Sequence, residues 1–233
     1  MLQDQFVDFF TALSNSPETD NVFNPWYDSD PKNDKHERTP DIRRRQFHQY
    51  LKERTGRARL ILVGEALGYQ GGHFSGIPMT SERILLGHQL ERGVMPEHVF
   101  SEIPPERTSQ PRIQPKGFTE PTATIVWGMF AVHSINTYSV VLWNIFPWHP
   151  FKSEKGLLSN RTPRKDELSK GIHPLRLLRE NFKDARIVAV GNSALSAMQE
   201  YDIQCHAVRH PAYGGAPKFR RQMGEIFTKN ESV

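Results

Sequence analysis

Apolar positions recur along this chain in two rhythms. Phe6, Phe9, Phe10 and Leu13 fall at helical spacing and predict an amphipathic helix over residues 2–14. Residues 15–40 are rich in Asn, Asp, Pro and Ser and read as a long loop, pinned to the body by burial of Phe23, Pro25, Trp26 and Tyr27. A helix with basic faces follows at about 41–54 and holds Arg43, Arg44 and Arg45. Arg59–Val63 is a short apolar run of the kind that forms a fully buried strand, and the signature returns at Ser139–Ile145, Arg186–Val190 and Gln204–Val208. Helices are predicted over Ser81–Leu90, Thr122–His133, 163–170, 174–182 and Pro217–Thr228, and from an Asn192 N-cap to about 200. Pro163 and Pro174 stand where a first helical turn accepts proline. The Pro-rich stretch Ile103–Thr122 and the segment Phe146–Pro163 read as loops. Strands alternating with helices imply an α/β fold with a parallel sheet covered on both faces.

Bulk properties narrow this picture only a little. A length of 233 residues suits one domain over 1–233, with 1–56 a helical and loop extension and no internal repeat. The formal net charge of +4 is a mild basic bias, compatible with a polyanionic partner. Cys205 is the chain's single cysteine, which excludes an intrachain disulfide framework and any all-cysteine metal or iron–sulfur site. It also fits a reducing, cytoplasmic setting. MLQDQFVDFF carries no basic-then-apolar signal pattern, and no apolar run approaches the roughly 20 residues of a membrane helix.

The chemistry gathers at strand ends, where open α/β sheets bind their ligands. Gly64-Glu65-Ala66-Leu67-Gly68 follows the first strand and opens a loop with glycines at 64, 68, 71, 72 and 76, whose backbone amides can approach a ligand closely. Glu65 suits a base, a water-holding group or a metal ligand; an N-cap or surface ion pair is its blander reading. The loop is neither a Walker-type GxxxxGK[ST] nor a dinucleotide GxGxxG, and HExxH is absent. Asn144 ends the second strand, and its carboxamide presents one donor and one acceptor, matching a pyrimidine edge where a ring N–H lies beside a carbonyl. A turn-forming Asn is the alternative. His210, after the last strand, can donate to charge developing on a leaving group, or it is a satisfied turn histidine. Phe74 in the glycine loop suits stacking on a planar ligand or packing into the core. Lys218, Arg220 and Arg221 open the last helix and suit phosphates, or form a solvated basic face. The spacing of His73, His149, His173 and His206 matches no metal site.

The GE-A-x-G turn, the strand-terminal Asn144 and the His210-Pro211-Ala212-Tyr213 turn together resemble the uracil-DNA glycosylase superfamily, nearest its family-four pattern, over roughly residues 57–223. The segment Gly72-His73-Phe74-Ser75-Gly76-Ile77-Pro78 resembles its base-stacking loop. The resemblance implies a three-layer α/β/α fold around a short, mainly parallel four-stranded sheet. It implies that Glu65 orients or activates the attacking water and that His210 supports charge on uracil O2. By the same resemblance Phe74, Asn144, Gly64 and Ala66 hold the flipped base. Lys218, Arg220 and Arg221 then grip DNA phosphates. The implied partner is DNA containing a deaminated base, bound by a monomer without a cofactor. Leu67 stands in place of the family-four Pro, and a single Cys cannot carry that family's four-cysteine cluster. No Leu wedge follows His210, so either Tyr213 takes that task or no residue does. Two other functions fit the same residues: a hydrolase of small nucleosides or nucleotides, and a nucleobase- or DNA-binding protein that kept the fold and lost catalysis.

Overall fold

The computed structural model describes residues 4–230. Leu2 and Gln3, at the start of the first expected helix, lie outside the described residues. In chain order the elements are α1 (Val7–Ser14), β1 (Val22–Phe23), α2 (Thr39–Lys52), β2 (Leu60–Ala66), α3 (Gly72–Ser75), α4 (Glu82–Leu85), α5 (Pro121–Val132), β3 (Val140–Phe146), β4 (His149–Pro150), α6 (Lys165–Asn181), β5 (Arg186–Val190), α7 (Asn192–Glu200), β6 (His206–Val208) and α8 (Ala216–Asn230). Four strands form one parallel sheet in the order β3-β2-β5-β6, and β1 pairs antiparallel with β4 beside it.

Alternate residues of a strand face opposite sides of its sheet. Every residue of β3 is buried, as is β2 from Leu60 to Gly64, so both faces of the sheet are covered. This is the three-layer α/β/α arrangement that the apolar runs imply. Gly171 lets α6 approach β3 closely, since a Cβ there would overlap the Ile145 carbonyl. The segment before β2 shares the core: Phe6, Phe9, Leu13, Trp26, Phe47 and Tyr50 are all buried. Trp26 Nε1 donates to the Gly76 carbonyl and Trp148 Nε1 to that of Leu13, which stitches this segment to the loop after β2 and to the tail of β3.

Four local expectations change, the first being the helix expected over Ser81–Leu90, which is only the single turn Glu82–Leu85 before the chain turns at Gly87 with φ 75°. The two helices expected over 163–170 and 174–182 are one helix, α6, with Pro174 inside it. Gly171, Ile172, Pro174, Leu175 and Leu178 are all buried, and that packing outweighs the hydrogen bond lost at proline. The N-cap of α7 is Gly191 at φ 92°, not Asn192. The basic faces of α2 are only partly basic surface: Arg43 is wholly buried, with Nη2 2.7 Å from Asp34 Oδ2 and Nη1 donating to the His73 carbonyl.

Candidate active site

The first motif lies inside β2 rather than after it. Gly64 and Asn144 are register partners on neighbouring parallel strands, so they project from the same face. The absence of a side chain at 64 makes room for the amide: a Cβ there would stand 2.6 Å from Asn144 Oδ1. Asn144 is 2% exposed, and no hydrogen bond within the protein is made by its carboxamide among the described residues. Neither polar atom of the amide is among the side-chain atoms sealed from solvent without a partner, so its donor and acceptor stay open to a molecule at the strand end. A ligand edge with a complementary donor and acceptor would pair with both.

Glu65 is one residue further along β2 and leaves the opposite side of the pleat, half-buried. Ala66 pairs with Phe146 where the ladder ends. A ligand touching both Asn144 and Glu65 therefore straddles the carboxyl end of the sheet. His210 follows β6 and is packed against the end of β5, where a Cβ on Gly191 would come within 2.9 Å of His210 Cβ. A Cβ on Gly215 would overlap the His210 carbonyl, so two glycines fit the chain around this residue. The Ala212 N–H donates to His210 Nδ1 at 3.1 Å. Nδ1 is thus an acceptor, and in the neutral ring Nε2 carries the proton. Burial holds the imidazole below its usual pKa, opposed by the Glu65 carboxylate and assisted by Arg209. The result at neutral pH is an uncharged ring with a single N–H donor, within the electrostatic reach of Glu65.

Phe74 is packed into the core. Its ring is wholly buried, stacked on Phe118 at 4.1 Å between centroids and 14° between planes, with His73 at 4.4 Å. The side chain beside Gly64 is Met79, whose sulfur would lie 3.7 Å from a Cβ at 64. Met79 has φ 47°, a left-handed backbone that costs a branched or long residue about 1–2 kcal/mol. Its turn is fixed by Trp127 Nε1, which donates to the Met79 carbonyl, and by Ser75 Oγ, which donates to the Thr80 carbonyl. The only sequence signal for Met79 is its place three residues after Gly76, at the far end of the glycine loop.

Behind the loop runs a buried polar chain. Asp30 Oδ2 lies 3.2 Å from His73 Nε2, and His73 Nδ1 lies 3.0 Å from His149 Nδ1. Burial lowers the pKa of His73 to about 4 and of His149 to about 3. Lys218, Arg220 and Arg221 are exposed on the first turns of α8, and none makes an ion pair among the described residues. Tyr213, in the turn leading to them, is 98% exposed at φ 51°. Among the described residues no group of three or more His, Cys, Asp or Glu side chains is placed to hold a metal ion. None of their helices is long and apolar enough to cross a membrane.

An amide, a carboxylate and a neutral imidazole thus stand at the carboxyl end of a parallel sheet in an α/β scaffold. A family model described as the Uracil DNA glycosylase superfamily matches residues 52–228, and the chain belongs to that superfamily. A search of curated proteins finds no match. Among solved structures, the crystal structure of wild-type Pedobacter heparinus SMUG2 superposes with a TM-score of 0.58 at 15% identity, covering 100% of both chains. That likeness concerns the fold.

Proposed function

We propose that the protein is a DNA glycosylase that hydrolyses the N-glycosidic bond of uracil, or a related deaminated base, in DNA. The observation that carries this reading is the partnerless, nearly buried Asn144 carboxamide held against Gly64. A fixed amide accepts from the ring N–H and donates to the neighbouring carbonyl of uracil. Cytosine reverses that pattern and is refused. The damaged nucleotide leaves the stack at a cost of a few kcal/mol. Met79 covers the face of the base at Gly64, while Phe74, stacked on Phe118, holds the loop behind it. Tyr213 fills the vacated stack, and Lys218, Arg220 and Arg221 neutralise the flanking phosphates.

The bond between C1′ and the base nitrogen breaks with its electron pair leaving on the base. The sugar becomes oxocarbenium-like, by analogy with glycoside hydrolysis. The His210 Nε2–H donates to the uracil O2 oxyanion. The Glu65 carboxylate faces the cationic sugar and takes the proton of the water that adds to C1′. Solvent protonates the departing base. The test is a single-turnover assay on uracil-containing oligonucleotides, read by alkaline strand scission. Wild-type scission lost in Asn144→Ala, Glu65→Ala and His210→Ala supports the assignment. Scission absent in the wild type, or retained in all three variants, refutes it.

A further inference from the structure

One acid near this site has no task in the proposed reaction. Glu120 immediately precedes Pro121, the first residue of α5, and so occupies the N-cap. An N-cap acid ordinarily accepts from the amides of its own first turn. Glu120 makes no such bond. Its carboxyl is turned instead against the loop that leaves β2 at Glu65 and Ala66. A Cβ on Gly71 would overlap Oε2 and would lie 2.7 Å from Cδ. A Cβ on Gly68 would lie 3.6 Å from Oε1 and 3.5 Å from Asn160 Nδ2. Gly71 has φ −120° and ψ −106°, so this loop is shaped as much by the acid it receives as by its own backbone.

The carboxyl is also unsatisfied. Oε2 is sealed from solvent with no hydrogen-bond partner, and Glu120 makes no ion pair among the described residues. Asn160, on the other side of Gly68, is already engaged, with Oδ1 accepting from the Tyr69 N–H at 3.0 Å. Leaving such an atom unpaired costs on the order of 1–3 kcal/mol.

We propose that Glu120 is a second acid of the excision site, a carboxyl that meets the flipped nucleotide across the Gly68–Gly71 loop. The inference rests on the glycosylase reading for the identity of the nucleotide, but not for the state of the acid. Burial alone raises its pKa to about 7. The titratable groups on the elements around it are Glu65 where the loop begins, Tyr69 and His73 within it, and His149 and Arg161 beside Asn160, and none of them offsets the effect of burial. Both histidines are neutral at that pH and supply no cation to draw the proton away. Below pH 7 the protonated acid offers a hydrogen-bond donor to a base carbonyl. Above pH 7 it presents a bare carboxylate to an electron-rich nucleotide and opposes binding.

The experiment pairs a rate with a direct titration. Single-turnover excision of uracil is measured from pH 5.5 to 9 for the wild type, Glu120→Gln and Glu120→Ala. In parallel, carboxyl-labelled glutamate is followed by NMR in the free protein and with duplex DNA holding a tetrahydrofuran abasic analogue plus free uracil. The wild-type rate should fall about tenfold per pH unit above about pH 7. Glu120→Gln, which cannot ionise, should abolish that limb and keep at least a third of the rate at pH 6. Glu120→Ala should lose activity throughout. The carboxyl resonance should titrate near pH 7 and shift its midpoint by a unit or more in the complex. A Glu120→Gln profile that overlays the wild type, or a carboxyl midpoint near the ordinary glutamate value in both states, overturns the proposal. A wild type that excises nothing while the Glu120 midpoint still moves with DNA refutes the excision reading and leaves the acid's role as a binding group.

Discussion

Replacing Gly64 by alanine adds one methyl group at the point where the amide of Asn144 is held. The backbone at 64 is an ordinary strand conformation, so alanine brings no dihedral strain, and the whole effect is steric. The new carbon would stand 2.6 Å from Asn144 Oδ1, well inside van der Waals contact, and 3.7 Å from the Met79 sulfur. Neither neighbour is free to retreat: Asn144 sits in the buried β2–β3 ladder and Met79 in a turn fixed by Trp127. The amide must therefore shift by several tenths of an ångström. Overpacking of this kind costs about 1–3 kcal/mol of stability. A misplacement near 1 Å at the reacting centre costs on the order of 100-fold in rate, or about 2.7 kcal/mol. The assay is single-turnover excision of uracil by Gly64→Ala, Asn144→Ala and the double variant, with cytosine-containing DNA as the discrimination control. The double variant should be no slower than Asn144→Ala alone, because the added methyl acts only through the amide. Gly64→Ala at the wild-type rate, or losses that simply multiply in the double variant, would refute the placement of the amide.

His210→Ala removes the lone N–H donor to the leaving base and should slow excision by about 10²–10³ without disturbing Kd for abasic DNA, as a gel-shift series would report. Lys218→Glu with Arg221→Glu should lower the slope of log binding against log salt by about 2, leaving hydrolysis of a small nucleoside, if any, untouched. Tyr213→Ala should slow excision from duplex DNA on the order of tenfold and spare single strands, because only the duplex requires a filler for the vacated stack. The pH dependence of thermal stability follows from the buried groups. Below pH 6.5 the unfolded chain takes up protons that His73, His149 and His210 refuse in the fold, so stability falls with acid. Glu120 acts in the opposite sense, keeping its proton in the fold up to about pH 7, so its stabilisation is lost as pH rises from about 4.5 through 7. Melting temperature should therefore rise from pH 4.5 to about 6.5 and decline gently beyond, and the decline should vanish in Glu120→Gln.

The strands were legible because a strand buried on both faces must be apolar throughout: Leu60–Val63, Val140–Trp143 and Ile187–Val190 admit no other reading of comparable economy. The ends of those strands were less legible. Glu65 and Asn144 are polar, and polarity suggests a turn. The ladder nevertheless continues through Gly64–Asn144 and Ala66–Phe146, because pairing depends on the partner strand rather than on the side chain. The Asn144 and His210 motifs could be found from their order and strand-end positions. Met79 and Glu120 could not, since one is known by its backbone angle and the other by the glycines it presses against. Arg43 misled for the same reason: its partner Asp34 lies in a loop whose path no periodicity records.

The sheet order carries a consequence for biosynthesis. β2 occupies a central position, yet Leu60 finds its partners only at Val140 and Arg186, so the apolar stretch from Leu60 to Val63 leaves the ribosome long before either neighbour exists. Pairing across such spans is slow, and an orphaned apolar strand invites association with other nascent chains. The amphipathic α1 and the aromatic cluster of Phe9, Trp26 and Phe47 emerge earlier and can shelter that stretch while it waits. In the folded protein the same aromatic residues share one core with the strand on which Glu65 depends.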